Sequence, residues 1–205
     1  MAREEIANSI SHGLGLVLAL VALPVLVMSA MRAGDVRFLI GVSVFGATMV
    51  LLYLASTLYH STTHEAAKRT FRLFDHTAIF LLIAGTYTPF SLGVLRGPWG
   101  WSLLAAIWLL AIVGITLKIR KRTRHSPIGI VLYVIMGWLC VVAVKPMLML
   151  IPVPGLLLIL AGGIAYTGGL AFFAAQRIRY NHFIWHLFVI AGTTCHFFAV
   201  LWYAA

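Results

Sequence analysis

The chain has 205 residues, 62% of them hydrophobic and only 10% charged, with a net charge of +10. Soluble domains carry about a quarter charged residues, so a water-soluble fold is excluded and lipid is the expected solvent for most of the surface. The basic excess does not read as a nucleic-acid surface, because its placement follows the loops.

Seven stretches free of Asp, Glu, Lys and Arg divide the chain. They separate Glu5 from Arg32, Arg37 from Glu65, Asp75 from Arg96, Arg96 from Lys118, Arg124 from Lys145, Lys145 from Arg177, and Arg179 from the C-terminus. Each reaches about 20 residues or more, the length a bilayer-spanning helix needs. Backbone groups in lipid must be satisfied within the element, and the ten-residue alternation of a membrane barrel is missing. The expected fold is all-α: one domain over 1–205, an integral membrane bundle of seven transmembrane helices. The spans are placed at 10–31, 38–60, 73–95, 100–118, 127–145, 155–176 and 182–203.

The first span follows a leader with no basic excess and is long for a signal peptide, so it reads as a retained helix. His12, one turn after Asn8, reads first as interfacial packing, with a place behind a site as the alternative. The second span ends in Ser56 and His60, four residues apart and hence on one face. The third opens with Asp75, the sole acid within a predicted span, and with His76, about 100° around the helix. His64 and His125 fall in loops. The basic stretch from Lys118 to Arg124 reads as an orientation signal, with contact to anionic headgroups as the alternative. Cys140 and Cys195 lack metal spacing and read as small buried hydrophobes. In the sixth span, Ala161, Gly162, Gly163, Ala165, Gly168 and Gly169 suggest close helix packing. The seventh opens with His182 and His186 at i,i+4, whereas His196 lies about 15 Å deeper along the helix.

With the N-terminus inside, only Arg32, Arg37, Arg96 and Lys145 of the 15 basic residues fall outside. This bias makes the N-terminus cytoplasmic and the C-terminus external. It also puts Ser56, His60, Asp75, His182 and His186 at one depth, near the inner surface. Ionisable residues inside spans are costly and mark function. An i,i+4 histidine pair can chelate one ion, and a third nitrogen from His60 gives the open, three-ligand arrangement of catalytic zinc. Asp75 would suit a partner for the metal's water. The plainer readings are packed histidines, a helix-capping Asp75 and a packing hydroxyl on Ser56. No nucleophile elbow, phosphate loop or HExxH sequence is present.

The segments Glu-Glu-Ile-Ala-Asn-Ser-Ile-Ser-His (4–12), Ser-Thr-Leu-Tyr-His (56–60), Phe-Asp-His (74–76), Ala-Gly-Thr-Tyr-Thr-Pro-Phe (84–90) and His-Phe-Ile-Trp-His (182–186) resemble the hemolysin III family. That family is grouped with the progestin and adipoQ receptors and, more distantly, with alkaline ceramidases. The resemblance implies Zn2+ held by His60, His182 and His186, Asp75 holding the zinc's water, and Ser56 close by. It further implies a zinc-dependent hydrolase of a lipid amide in the bacterial cytoplasmic (inner) membrane, with membrane lipids as partners. The short leader departs from the receptor members and speaks against a hormone-receptor role. Two alternatives stay open: a metal-dependent regulator of membrane state without turnover, and a hemolysin-like membrane-perturbing protein. No span carries the polar stripe that a pore would need.

Overall fold

The structure is a computed structural model and describes residues 3–121, 127–175 and 177–205. Among these, every regular element is helical: α1 (Arg3–Ala33), α2 (Val36–Ser61), α3 (Glu65–Leu92), α4 (Pro98–Lys121), α5 (Pro127–Gly137), a 3-10 segment (Leu139–Ala143), α6 (Val144–Leu150), α7 (Val153–Ala174) and α8 (Asn181–Tyr203). The segment from α5 to α6 follows one course, so seven rods answer to the seven expected spans. Residues 122–126, which include Arg122 and Arg124 of the basic stretch and the loop residue His125, lie outside the described residues.

Six rods are long and apolar enough to cross a membrane, and α3 is the exception. Its polarity is turned inward. Thr77, Thr86 and Thr88 are buried, and their hydroxyls donate back along the helix to the carbonyls of Leu73 (2.9 Å), Leu82 (2.8 Å) and Ala84 (2.9 Å). Each hydroxyl is thereby satisfied without water. Half of the apolar window of α2 is likewise buried inside the bundle, against 11% for α7; α2 and α3 are therefore central and α7 peripheral.

Glycine allows α2 and α3 to approach closely. A Cβ added at Gly41 would stand 2.7 Å from the Pro89 Cα, and one added at Gly85 would overlap the Thr48 side chain. These contacts run in opposite directions along the two helices, which are antiparallel, and they place Ser56 of α2 opposite Asp75 of α3. The small-residue expectation for the sixth span holds for one stripe: Gly155, Gly162 and Gly169 are the buried residues of α7, seven apart. They pack on Tyr203, His196, and the Phe188–Trp185 pair of α8. Ala161 is exposed and takes no part.

The fifth rod departs from expectation in two ways. It extends to Leu150 instead of 145, and it is broken. At the break, the Tyr87 hydroxyl shares its proton between the carbonyls of Met136 (2.8 Å) and Gly137 (3.1 Å) and accepts from the Cys140 N–H (3.0 Å). One phenol thus replaces helix bonds lost in the break. Pro146 in the next turn has no N–H to restore the ladder. Cys140 and Cys195 are free and partly buried.

The two ends of the bundle differ. At one, Asp35 accepts from the N–H groups of Arg37 (2.9 Å) and Phe38 (3.2 Å), capping α2, and pairs with Arg96 at 2.6 Å. The Val94 N–H donates to the carbonyl of Ala204 there (3.0 Å), tying in the C-terminus. The opposite end gathers the start of α1, the end of α2, the start of α3 and the start of α8, and with them the histidines.

Candidate metal centre

His60, on the last turn of α2, is buried, with Glu5 of α1 and the rings of His182 and His186 against it. His182 and His186 face it from the first turns of α8. Where α8 begins is fixed locally: Tyr180 adopts a left-handed conformation (φ 59°), and the Asn181 side-chain amide donates to the carbonyls of Phe172 (3.3 Å) and Phe173 (3.4 Å) at the end of α7. Orphan carbonyls of one helix are thereby capped by the residue that starts the next.

Three histidines converge as the spacing predicts. Ring centroids stand 4.6 Å apart for His182–His186, 4.9 Å for His60–His186 and 5.0 Å for His60–His182. Each ring offers one nitrogen, and these nitrogens all lie within 4.8 Å of one another. A tetrahedral ion with bonds of about 2.0–2.1 Å would draw such nitrogens to roughly 3.3 Å apart, a matter of small ring rotations.

Hydrogen bonding selects which nitrogens are free. Nδ1–H of His60 donates to Glu5 Oε2 at 2.7 Å. Nδ1–H of His186 donates to Ser11 Oγ (3.2 Å) and to the Asn8 carbonyl (3.3 Å), while the Ser11 hydroxyl itself donates to that carbonyl (3.0 Å). These acceptors fix the tautomers and leave Nε2 of both rings with its lone pair outward. Nε2 of His60 and of His182 are buried without a hydrogen-bond partner among the described residues. Buried polar atoms are rarely left unpaired, and a metal-binding histidine characteristically donates its other N–H to a carboxylate or carbonyl. The three-histidine group therefore could hold a metal ion, and its donor set fits one that prefers nitrogen ligands.

Asp75 and Ser56 lie beside this group. Asp75 is 8% exposed and lines, together with His182 and His186, a cavity of about 510 Å3. Ser56 is fully buried one turn before His60; its hydroxyl is close to the Asp75 carboxyl but makes no well-aligned hydrogen bond among the described residues. His76 lines the same cavity, its Nδ1 bonded to the Arg72 carbonyl at 2.6 Å and 4.0 Å from Asp75 Oδ2, but it is outside the three-histidine group. His196 sits at the far end of the same cavity, with Nε2 on the Ile159 carbonyl (3.2 Å), outside the three-histidine group. His64 caps α3, accepting from the Ala67 N–H.

A sequence model of the family described as Haemolysin-III related matches residues 1–197. The chain belongs to the haemolysin-III related family. Its relatives include Hemolysin-3 of Bacillus cereus, 49% identical over 98% of this chain and 92% of that protein. The Hemolysin-3 homolog of Bacillus subtilis (strain 168) is 44% identical over 98% and 94% of the two chains. The human Monocyte to macrophage differentiation factor is 26% identical over 96% and 83%.

In this haemolysin-III related protein, α1 contributes more than the sequence suggested. Glu5, a charge of the leader, holds His60 and pairs with Lys68 at 3.3 Å. His12, read first as interfacial packing, is 3% exposed and stacks on His186 with centroids 3.5 Å apart and planes 11° from parallel. The signal was present in the spacing: Glu5, Asn8 and His12 recur at three and four residues, a single helical face.

Proposed function

We propose that this protein is a zinc-dependent hydrolase of a lipid amide, with its active site at the cytoplasmic end of the bundle. The observation that carries the reading is the set of three converging histidines, two with Nδ1 tied off by acceptors and two with Nε2 buried and unpaired. His60, His182 and His186 would hold the ion. Zinc, when bound, supplies Lewis acidity toward the amide carbonyl and the attacking water.

The chain's own residues supply the remainder. Asp75 takes the proton of the attacking water as general base and returns it to the departing amine as the carbon–nitrogen bond breaks. Its position, buried and on the cavity wall, suits that role better than helix capping, because it lies ten residues inside α3. Ser56, opposite Asp75, positions the carboxyl. Glu5, Ser11 and the Asn8 carbonyl keep the His60 and His186 rings aimed. The cavity, lined largely by apolar side chains between α3, α5, α7 and α8, has the size of a ligand pocket and excludes bulk water from the reacting groups.

The basic residues gather at the metal-site end, so we place the N-terminus in the cytoplasm, the C-terminus outside, and the chain across the cytoplasmic membrane seven times. Reporter fusions after Trp202 should show an external C-terminus. Metal analysis coupled to lipid-product mass spectrometry on purified protein tests the activity. Turnover that tracks zinc content supports the hydrolase; metal-linked stability without turnover replaces it with a regulatory role, and dye leakage from vesicles with a membrane-perturbing one.

A further inference from the structure

One end of the cavity carries charge that the hydrolase reading does not use. Arg72 and Lys118 line it, along with Asp75 and with His182 and His186 of α8. Both are half-buried, and neither has a carboxylate within ion-pair distance among the described residues. The chain has only five acidic side chains. Glu5 is taken by His60 and Lys68, Glu65 by Arg69, and Asp35 by Arg96 at the opposite end, while Glu4 makes no ion pair among the described residues. Asp75 attracts Lys118, but Arg72 repels it. A topological role explains why two cations lie on this side of the membrane. It does not explain why both turn toward a cavity, partly desolvated and unpaired, at a cost that only an anion would offset.

The rest of the cavity is a shaft of different character. Ile79, Leu82, Ile83, Val134 and Leu170 line it, and along α3 it extends from Arg72 to Tyr87, about 22 Å at 1.5 Å per residue. Arg72 lies one turn from Asp75, hence close to the reacting groups.

We propose that the substrate is an anionic lipid amide: a carboxylate or phosphate close to the amide is held between Arg72 and Lys118, while the acyl chain fills the shaft. Guanidinium and ammonium groups together give the charge-assisted hydrogen bonds that such heads accept. A neutral lipid amide would leave both cations unpaired. The proposal rests on the cavity being the substrate site of the metal centre, so binding and turnover must be read separately.

The test compares two amides with one chain: N-oleoylglycine, with a carboxylate, and N-oleoylethanolamine, which is neutral. Binding to the purified full chain in nonionic micelles is followed by tryptophan fluorescence against empty micelles, with zinc content recorded for every sample. The wild type should bind the anionic lipid at least about tenfold more tightly, the scale of one charge-assisted hydrogen bond, and added salt should shrink the difference. Arg72→Gln with Lys118→Gln should erase the preference while keeping affinity for the neutral lipid; Arg72→Lys with Lys118→Arg should retain it. Equal affinities in the wild type, or a preference that survives the double Gln change, would overturn the proposal. N-acetylglycine binding as tightly as N-oleoylglycine would overturn its lipid part. Preference without turnover keeps the anion site and removes the hydrolase; equal turnover of both lipids keeps the hydrolase and removes the anion site.

Discussion

Replacing Glu5 by Ala should weaken metal binding although Glu5 is no ligand. The carboxylate accepts from His60 Nδ1 at 2.7 Å and is, among the described residues, the one hydrogen-bond partner of that ring, whose Nε2 has none there. Without it, the His60 tautomer is no longer fixed and its Nε2 loses basicity. Losing such a partner typically costs 10–100-fold in metal affinity, or about 1.4–2.7 kcal/mol. Because the Glu5 side chain is 30% exposed and shared with Lys68, water can partly replace it, and the lower half of that range is expected. Glu5→Gln keeps an acceptor without the charge and should fall between wild type and Ala. Zinc retention against a graded chelator, with folding checked by circular dichroism, measures this. An Ala variant that releases zinc at the wild-type chelator concentration would refute the argument that α1 orients His60.

Asp75→Asn should leave zinc mostly in place and lower turnover of a lipid amide about a hundredfold or more, the scale of general-base loss; product formation and metal content on one preparation check it, and unchanged turnover would remove the catalytic role of Asp75. Gly41→Ala should destabilise the bundle by about 1–3 kcal/mol, because the new Cβ meets backbone at Pro89 that cannot move aside; a lowered midpoint in thermal unfolding is the readout. The N–H of Phe38, the N–H of Arg37 and the charge of Arg96 hold the Asp35 carboxyl below its ordinary value. Its contribution to stability is therefore present above the ordinary carboxylate range and is lost as pH falls through the depressed value, and Asp35→Asn, which keeps the cap but not the charge, should flatten that acid limb of the unfolding curve.

The charge-free runs alone revealed the seven rods, because lipid forbids unpaired charge over a span. The positions of His60, His182 and His186 were equally legible, since i,i+4 spacing and depth are properties of a helix and not of its neighbours. What was hidden depends on packing. Hydropathy undervalues α3, because Thr77, Thr86 and Thr88 satisfy themselves inside the bundle. Nothing local announces that Tyr87 will hold open a break in the fifth rod, since the groups it joins are 49 to 53 residues away. Glu5 looked like a leader charge because its value comes from a partner 55 residues later. For His12 the stack on His186 arises only from the contact of the first helix with the last.

The most direct test of the account is the metal content of purified wild-type protein beside a variant with His60, His182 and His186 all changed to Ala, with His196→Ala as the control. One zinc per chain in the wild type and in the control, and none in the triple variant, is the predicted result. Equal metal in the wild type and the triple variant would contradict the assignment of the site.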